Sequence, residues 1–153
     1  MFASAQCARR VVRRLGAAIL ALASVTATAA VDVPQCPGEL AAASIQVKPA
    51  PGWTGVVPTR LLLSSAGVVV GPPNVSPRAE LRGDARRVSK HVTATAYPGL
   101  AVRETWLTCS YGQGGELEQA YRLPATVDRC VVRVSRSQNN DVDVSVSCTP
   151  AGR

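Results

Sequence analysis

Hydrophobic and polar positions alternate most cleanly in the last third of the chain. From Thr105 to Tyr111 a period of two puts Leu107, Cys109 and Tyr111 on one face. Gly112-Gln113-Gly114-Gly115 comes next as a turn, after which Leu117, Tyr121 and Leu123 fall on a matching face. A three-residue loop at Gln113 to Gly115 sets Tyr111 opposite Leu117 and Leu107 opposite Tyr121, a hairpin with a buried aromatic side.

Cys130 to Cys148 carries the pattern more strictly. With Gln138 to Asn140 as the loop, Val134 meets Val144, Val132 meets Val146 and Cys130 meets Cys148. Arg133, Ser135, Asp143, Ser145 and Ser147 then take the other, solvated face. Asparagine tolerates the left-handed backbone such a loop needs. A two-residue loop at Asn139-Asn140 would pair Cys130 with Thr149 and mix the faces, so register favours the longer loop.

Upstream the pattern weakens. Leu61 to Leu63 and Val68 to Val70 read as two apolar strands about a turn at Ser64-Ser65-Ala66-Gly67, and Gly71-Pro72-Pro73 ends the second. His91 to Tyr97 alternates as a further strand, turned by Pro98-Gly99. Cys36 to Val57 is irregular, broken by Cys36-Pro37-Gly38 and Pro49-Ala50-Pro51-Gly52-Trp53, with one short strand at Ser44 to Lys48. Residues 74 to 90 show no period and read as a loop with room for a short helix.

The first thirty residues obey another rule. Arg9, Arg10, Arg13 and Arg14 precede an uncharged run from Leu15 to Ala30, the layout of a secretory signal peptide. The small residues of Ala27-Thr28-Ala29-Ala30 place the cut after Ala29 or Ala30, so the mature chain begins near Val31. The apolar run of about 15 residues falls short of the roughly 20 a spanning helix needs, so no membrane span is expected after cleavage. Val11-Val12-Arg13 breaks the pattern usual behind a twin-arginine motif, which favours general secretion. Cys7 precedes the apolar run and leaves with the signal. The expected organisation is a signal peptide over 1–30 and a single exported β domain over 31–153, periplasmic or secreted.

The remainder suffices for one domain with one core. The whole chain carries a formal +7 from 17 Lys and Arg against 10 acids, but four arginines belong to the signal, leaving +3. The basicity of the full chain is therefore no argument for nucleic acid, and no nucleic-acid partner is expected. Four cysteines remain, an even number that reads as a disulfide framework in an oxidising compartment. None is spaced Cys-x-x-Cys, so neither a redox nor a zinc site is expected. Hairpin register selects Cys130–Cys148, which leaves Cys36–Cys109 as the second bond. The chain-entropy model makes these worth roughly 3 and 4 kcal/mol, a large share of the net stability of so small a domain.

Cys36-Pro37, Pro51-Gly52-Trp53, Gly71-Pro72-Pro73, Trp106-Leu107-x-Cys109-x-Tyr111, Leu123-Pro124, Cys130 and the terminal Cys148 together resemble the STY-type family. These are small exported proteins of Gram-negative bacteria, named after a locus tag. The resemblance spans most of the mature chain and implies export and a four-cysteine scaffold, with no activity attached. The family pattern has a tryptophan between Gly83 and Ala96, where this chain has Val92-Thr93-Ala94-Thr95.

Ordinary catalysis finds little support. His91 is the only histidine, and neither Gly-x-Ser-x-Gly nor Ser-x-x-Lys occurs. Ser89-Lys90-His91 sets candidate groups side by side, but neighbours in a strand point to opposite faces. Glu116 with Glu118 and Asp141 with Asp143 are the only carboxylate pairs worth weighing for a hydrolase, and all flank turns where charges are ordinarily solvated. Gly112 to Gly115 leads into a strand, unlike a phosphate loop. No catalytic residue, cofactor or metal is expected.

Two features could bind a partner. Arg78, Arg82, Arg86, Arg87 and Lys90 form the one basic concentration, diluted by Glu80 and Asp84, and could dock on an anionic envelope polymer. Trp53 and Trp106 could form a platform for sugar or peptide, although packing in the core or between strands is the expectation for both. Trp106 lies opposite Cys109 in register and is the better placed for partial exposure.

The expected fold is all-β: a small antiparallel β-sandwich or partly open barrel of about six to eight strands, built from hairpins and two disulfides. The expected function is a non-enzymatic envelope module that binds a macromolecule, protein or anionic polymer, in the manner of an enzyme inhibitor. The alternatives are adhesion to anionic polymers through Arg78 to Lys90, and a carboxylate-based hydrolase.

Overall fold

The computed structural model describes residues 30–75 and 79–152; the signal-peptide reading, with Cys7, and the candidate Arg78 lie outside them. Among the described residues the chain forms nine strands and no α-helix: β1 (Glu39–Leu40), β2 (Leu61–Val70), β3 (Ala79–Glu80), β4 (Asp84–Ser89), β5 (Val92–Tyr97), β6 (Thr105–Tyr111), β7 (Leu117–Arg122), β8 (Val127–Arg136) and β9 (Val142–Pro150). They make two antiparallel sheets that do not close. One runs β1-β2-β6-β7, with β3 also on β2, and the other runs β4-β5-β8-β9.

Both hairpins of the last third have the expected register. Tyr111 pairs with Leu117 and Leu107 with Tyr121, while Cys130 pairs with Cys148 and Val134 with Val144. The β8–β9 loop closes with Ser137 N–H donating to the Asp141 carbonyl at 2.9 Å, and Asn140 takes the left-handed backbone at φ 63°. Tyr111 is fully buried, but Tyr121 is 41% exposed because β7 is the edge of its sheet. The buried aromatic side is therefore Tyr111 alone.

Three local expectations are corrected. Leu61 to Val70 is one strand, because β6 pairs with it straight through the supposed turn: Ser65 faces Ser110, Ala66 faces Cys109 and Gly67 faces Thr108. Leu63 and Val68, five residues apart, would face opposite ways in a regular strand. A bulge at Ser64 shifts the register by one and turns both inward. Residues 84 to 89 form β4, an edge strand exposed along its length, so no hydrophobic period marks it. Ser44 to Lys48 is no strand: Ala42–Ser44 is a 3-10 turn, and no strand pairs with Ile45 to Lys48.

One core unites the sheets, with Leu63, Val68, Leu107 and Tyr111 from one and Tyr97, Val132, Val144 and Val146 from the other. Both disulfides, Cys36–Cys109 and Cys130–Cys148, lie within it. The first anchors the N-terminal segment to β6. The second joins β8 and β9 with a Cα–Cα distance of 4.1 Å, at a closely spaced pair of the ladder. Burial raises the pKa of Tyr97, further raised by Glu80 and partly offset by a hydrogen bond from the Val68 backbone. Disulfides persist in oxidising compartments, so these two point to an exported setting. No helix among the described residues is long and apolar enough to cross a membrane.

Candidate functional site

Ile45 to Arg60 is the longest stretch without regular structure among the described residues. A turn forms its middle, with Trp53 N–H donating to the Ala50 carbonyl at 3.0 Å and Gly52 at φ 81°. Proline at the first central position presets its φ, and glycine at the second takes a positive φ without strain, which is the type II arrangement. Beyond the turn the two arms touch. A Cβ on Gly55 would come within 2.8 Å of the Val47 Cβ and 3.2 Å of its carbonyl, so a side chain would force the arms apart. The segment is a finger held by two glycines and a proline.

Ile45 packs against the core at its base, but three of its apolar side chains face water. Trp53 is 77% exposed, Val56 72% and Val47 49%. Isolated exposed apolar residues are ordinary, but here three lie on one conformationally restricted finger. The expectation that Trp53 packs in the core is thus corrected: no strand runs beside it to bury it. The available sequence signal was Pro51-Gly52, a turn that lifts the next residue away from the sheet.

Trp106 has the opposite fate. It sits on the outer face of the first sheet between Val69 and Arg122, half-buried, with its indole Nε1 enclosed and without a hydrogen-bond partner. Trp106 thus keeps the partial exposure expected from its register, flanked by side chains of the neighbouring strands.

The described members of the basic segment do not all share one face of the sheet. Alternation along β4 puts Arg86 on the outer face of the second sheet, in a row with Ala94, while Arg87 shares a row with Thr93 on the other side. Arg87 also folds back to donate to the carbonyls of Ser89 and Lys90 at 3.3 and 3.1 Å. Arg82 precedes the strand and Lys90 lies in the turn after it, both exposed.

The carboxylates regroup across hairpins. Glu116 and Asp141, from different loops, both border an open cleft of about 910 Å³ at one end of the sandwich, with Leu62, Arg60 and Arg136. Asp141 helps build its own loop: its N–H and that of Asn139 each donate to the Ser137 hydroxyl at 3.1 Å. Glu118 leaves its sequence neighbour and accepts from the Ser110 hydroxyl at 3.2 Å, and Asp143 stands exposed on β9. His91 is exposed, its backbone N–H directed at the Ser89 hydroxyl at 3.4 Å. Among the described residues no three His, Cys, Asp or Glu side chains come together in a set that could hold a metal ion.

Comparison with known protein families, with curated proteins and with solved structures finds no match, so the reading of this surface rests on its own geometry.

Proposed function

We propose that the chain is an exported envelope protein, freed of its signal peptide and acting without chemistry of its own, whose finger binds a protein partner. The observation that carries this reading is Trp53, 77% exposed at the end of a turn locked by Pro51 and Gly52. Tryptophan is the side chain most enriched at binding hot spots. Conformational restriction before binding reduces the entropy lost on contact. A convex apolar tip on a cross-linked scaffold suits insertion into a concave site, the manner in which a protein inhibitor occupies an enzyme.

A photo-crosslinking residue at Thr54 tests this in the native compartment. The expected result is one discrete adduct that survives about 0.5 M salt, where surface charge attraction is screened. Trp53→Ala should abolish it with the fold intact. An adduct unaffected by Trp53→Ala, or none at all, would refute the finger as the contact element.

A further inference from the structure

Cross-strand register assembles a second surface that no single segment of the chain announces. On the outer face of the second sheet, Arg86 of β4, Ala94 of β5, Arg133 of β8 and Ser145 of β9 form one row. The next row holds Asp84, Ala96, Val131 and Ser147, and beyond it Arg129 faces Thr149. Residues directly opposite in an antiparallel ladder share a face. Three arginines therefore stand on one flat surface, beside a line of hydroxyls from Ser145, Ser147 and Thr149.

The spacing is regular because the sheet makes it so. Arg86 and Arg133 are two strands apart, about 10 Å, and Arg129 and Arg133 are four residues apart along β8, about 13 Å. Between the first two lies Ala94, only 8% exposed although its register points it outward. Arg86, Arg129 and Arg133 are exposed, and among the described residues no carboxylate lies within ion-pair distance of any of them. Asp84 and Asp143 stand on the same face and limit the charge.

We infer that this face binds a linear polysaccharide carrying anionic groups. Each guanidinium offers a planar fork for an acidic group. The β9 hydroxyls both donate and accept, as a polyhydroxylated chain requires. The small and apolar side chains of Ala94, Ala96 and Val131 leave the middle flat enough for an extended polymer. A lipid surface fits less well, because interfacial binding needs a band of large apolar anchors and these strands offer only isolated valines, Val88 and Val131. Single-stranded nucleic acid would call for aromatic stacking platforms, and the face has no aromatic residue.

Binding of the intact oxidised protein to four probes tests the inference: polygalacturonate, neutral dextran, polyglutamate of matched charge, and vesicles containing anionic phospholipid. Polygalacturonate should bind at least tenfold more tightly than polyglutamate, dextran and vesicles. R129E/R133E should reduce that affinity at least tenfold, and S145V/S147V should narrow the gap between polygalacturonate and polyglutamate. All four positions are exposed, and an unchanged melting temperature with the Cys130–Cys148 bond intact establishes folding. Arg60→Glu, just before β2 of the other sheet, and Trp53→Ala, on the finger, should leave polysaccharide affinity unchanged, which separates this surface from the proposed function. Equal affinity for polyglutamate, tighter binding to vesicles, or an R129E/R133E variant that binds like wild type would overturn it.

Discussion

Gln35 and Val146 are joined by two hydrogen bonds. The Gln35 side-chain Nε2 donates to the Val146 carbonyl at 2.9 Å, and its Oε1 accepts from the Val146 N–H at 2.7 Å. One amide side chain thus substitutes for a residue of a neighbouring strand on β9, next to the point where Val31 N–H donates to the Cys148 carbonyl at 2.9 Å. Edge strands expose unpaired backbone groups, and here the N-terminal segment covers part of such an edge. Gln35→Ala should cost about 1–2 kcal/mol by leaving both Val146 groups without a protein partner. Urea unfolding measures this, and an unchanged midpoint would show that water replaces the amide without loss.

The two disulfides should differ in weight. Removing Cys130–Cys148, which closes an 18-residue separation, should cost about 3 kcal/mol. Removing Cys36–Cys109, across 73 residues, should cost about 4 kcal/mol. Paired Cys→Ala variants under thermal or urea unfolding give the order, and a reversed order would argue that native packing outweighs chain entropy.

Tyr111 is fully buried and its hydroxyl has no hydrogen-bond partner, so burial alone raises its pKa. Tyr111→Phe removes a desolvated polar group and should be neutral or stabilising by up to about 1 kcal/mol. A tyrosine whose folded pKa exceeds its unfolded value near 10 holds its proton longer in the native state. Stability is then full below about pH 10 and falls as pH rises, because the unfolded chain ionises first. Tyr97 adds to the same decline. The Phe variant should show a shallower alkaline loss of melting temperature; an identical slope would remove Tyr111 as a contributor.

The two tryptophans should separate stability from binding. Trp53→Ala should shift stability by no more than about 0.5 kcal/mol, as for a surface site. Trp106→Ala should cost at least about 2 kcal/mol, since it empties a packed position beside Val69. Similar losses for both would mean that the finger packs more tightly in solution than its exposure implies.

Much of the fold is legible in the sequence wherever a strand has one wet and one dry face. Alternation from Cys130 to Cys148 determines which residues face inward, and that in turn selects the loop at Gln138 to Asn140 and the Cys130–Cys148 bond, because a one-residue slip would set the inward valines of one strand against the solvated face of the other. The remaining cysteines pair by elimination. Where both faces are wet, as in β4, the pattern vanishes and only pairing with β5 reveals a strand. Where the period breaks, as between Leu63 and Val68, only the facing strand tells a bulge from a turn.

The candidate surfaces divide the same way. Pro51-Gly52 is a local signal for the turn beneath Trp53, but its exposure depends on there being no strand beside it, a fact of the whole fold. The division of Arg86 and Arg87 between two faces, and the place of Arg86 in one row with Arg133, are set by register between strands distant in sequence. The sequence by itself determined the alternation, the hairpin register and the disulfides, because these depend on neighbours along one or two strands. Only the tertiary structure decided which edges stay open, which tryptophan faces water and which arginines share a face. Those outcomes depend on which strands lie side by side, and no local preference encodes that.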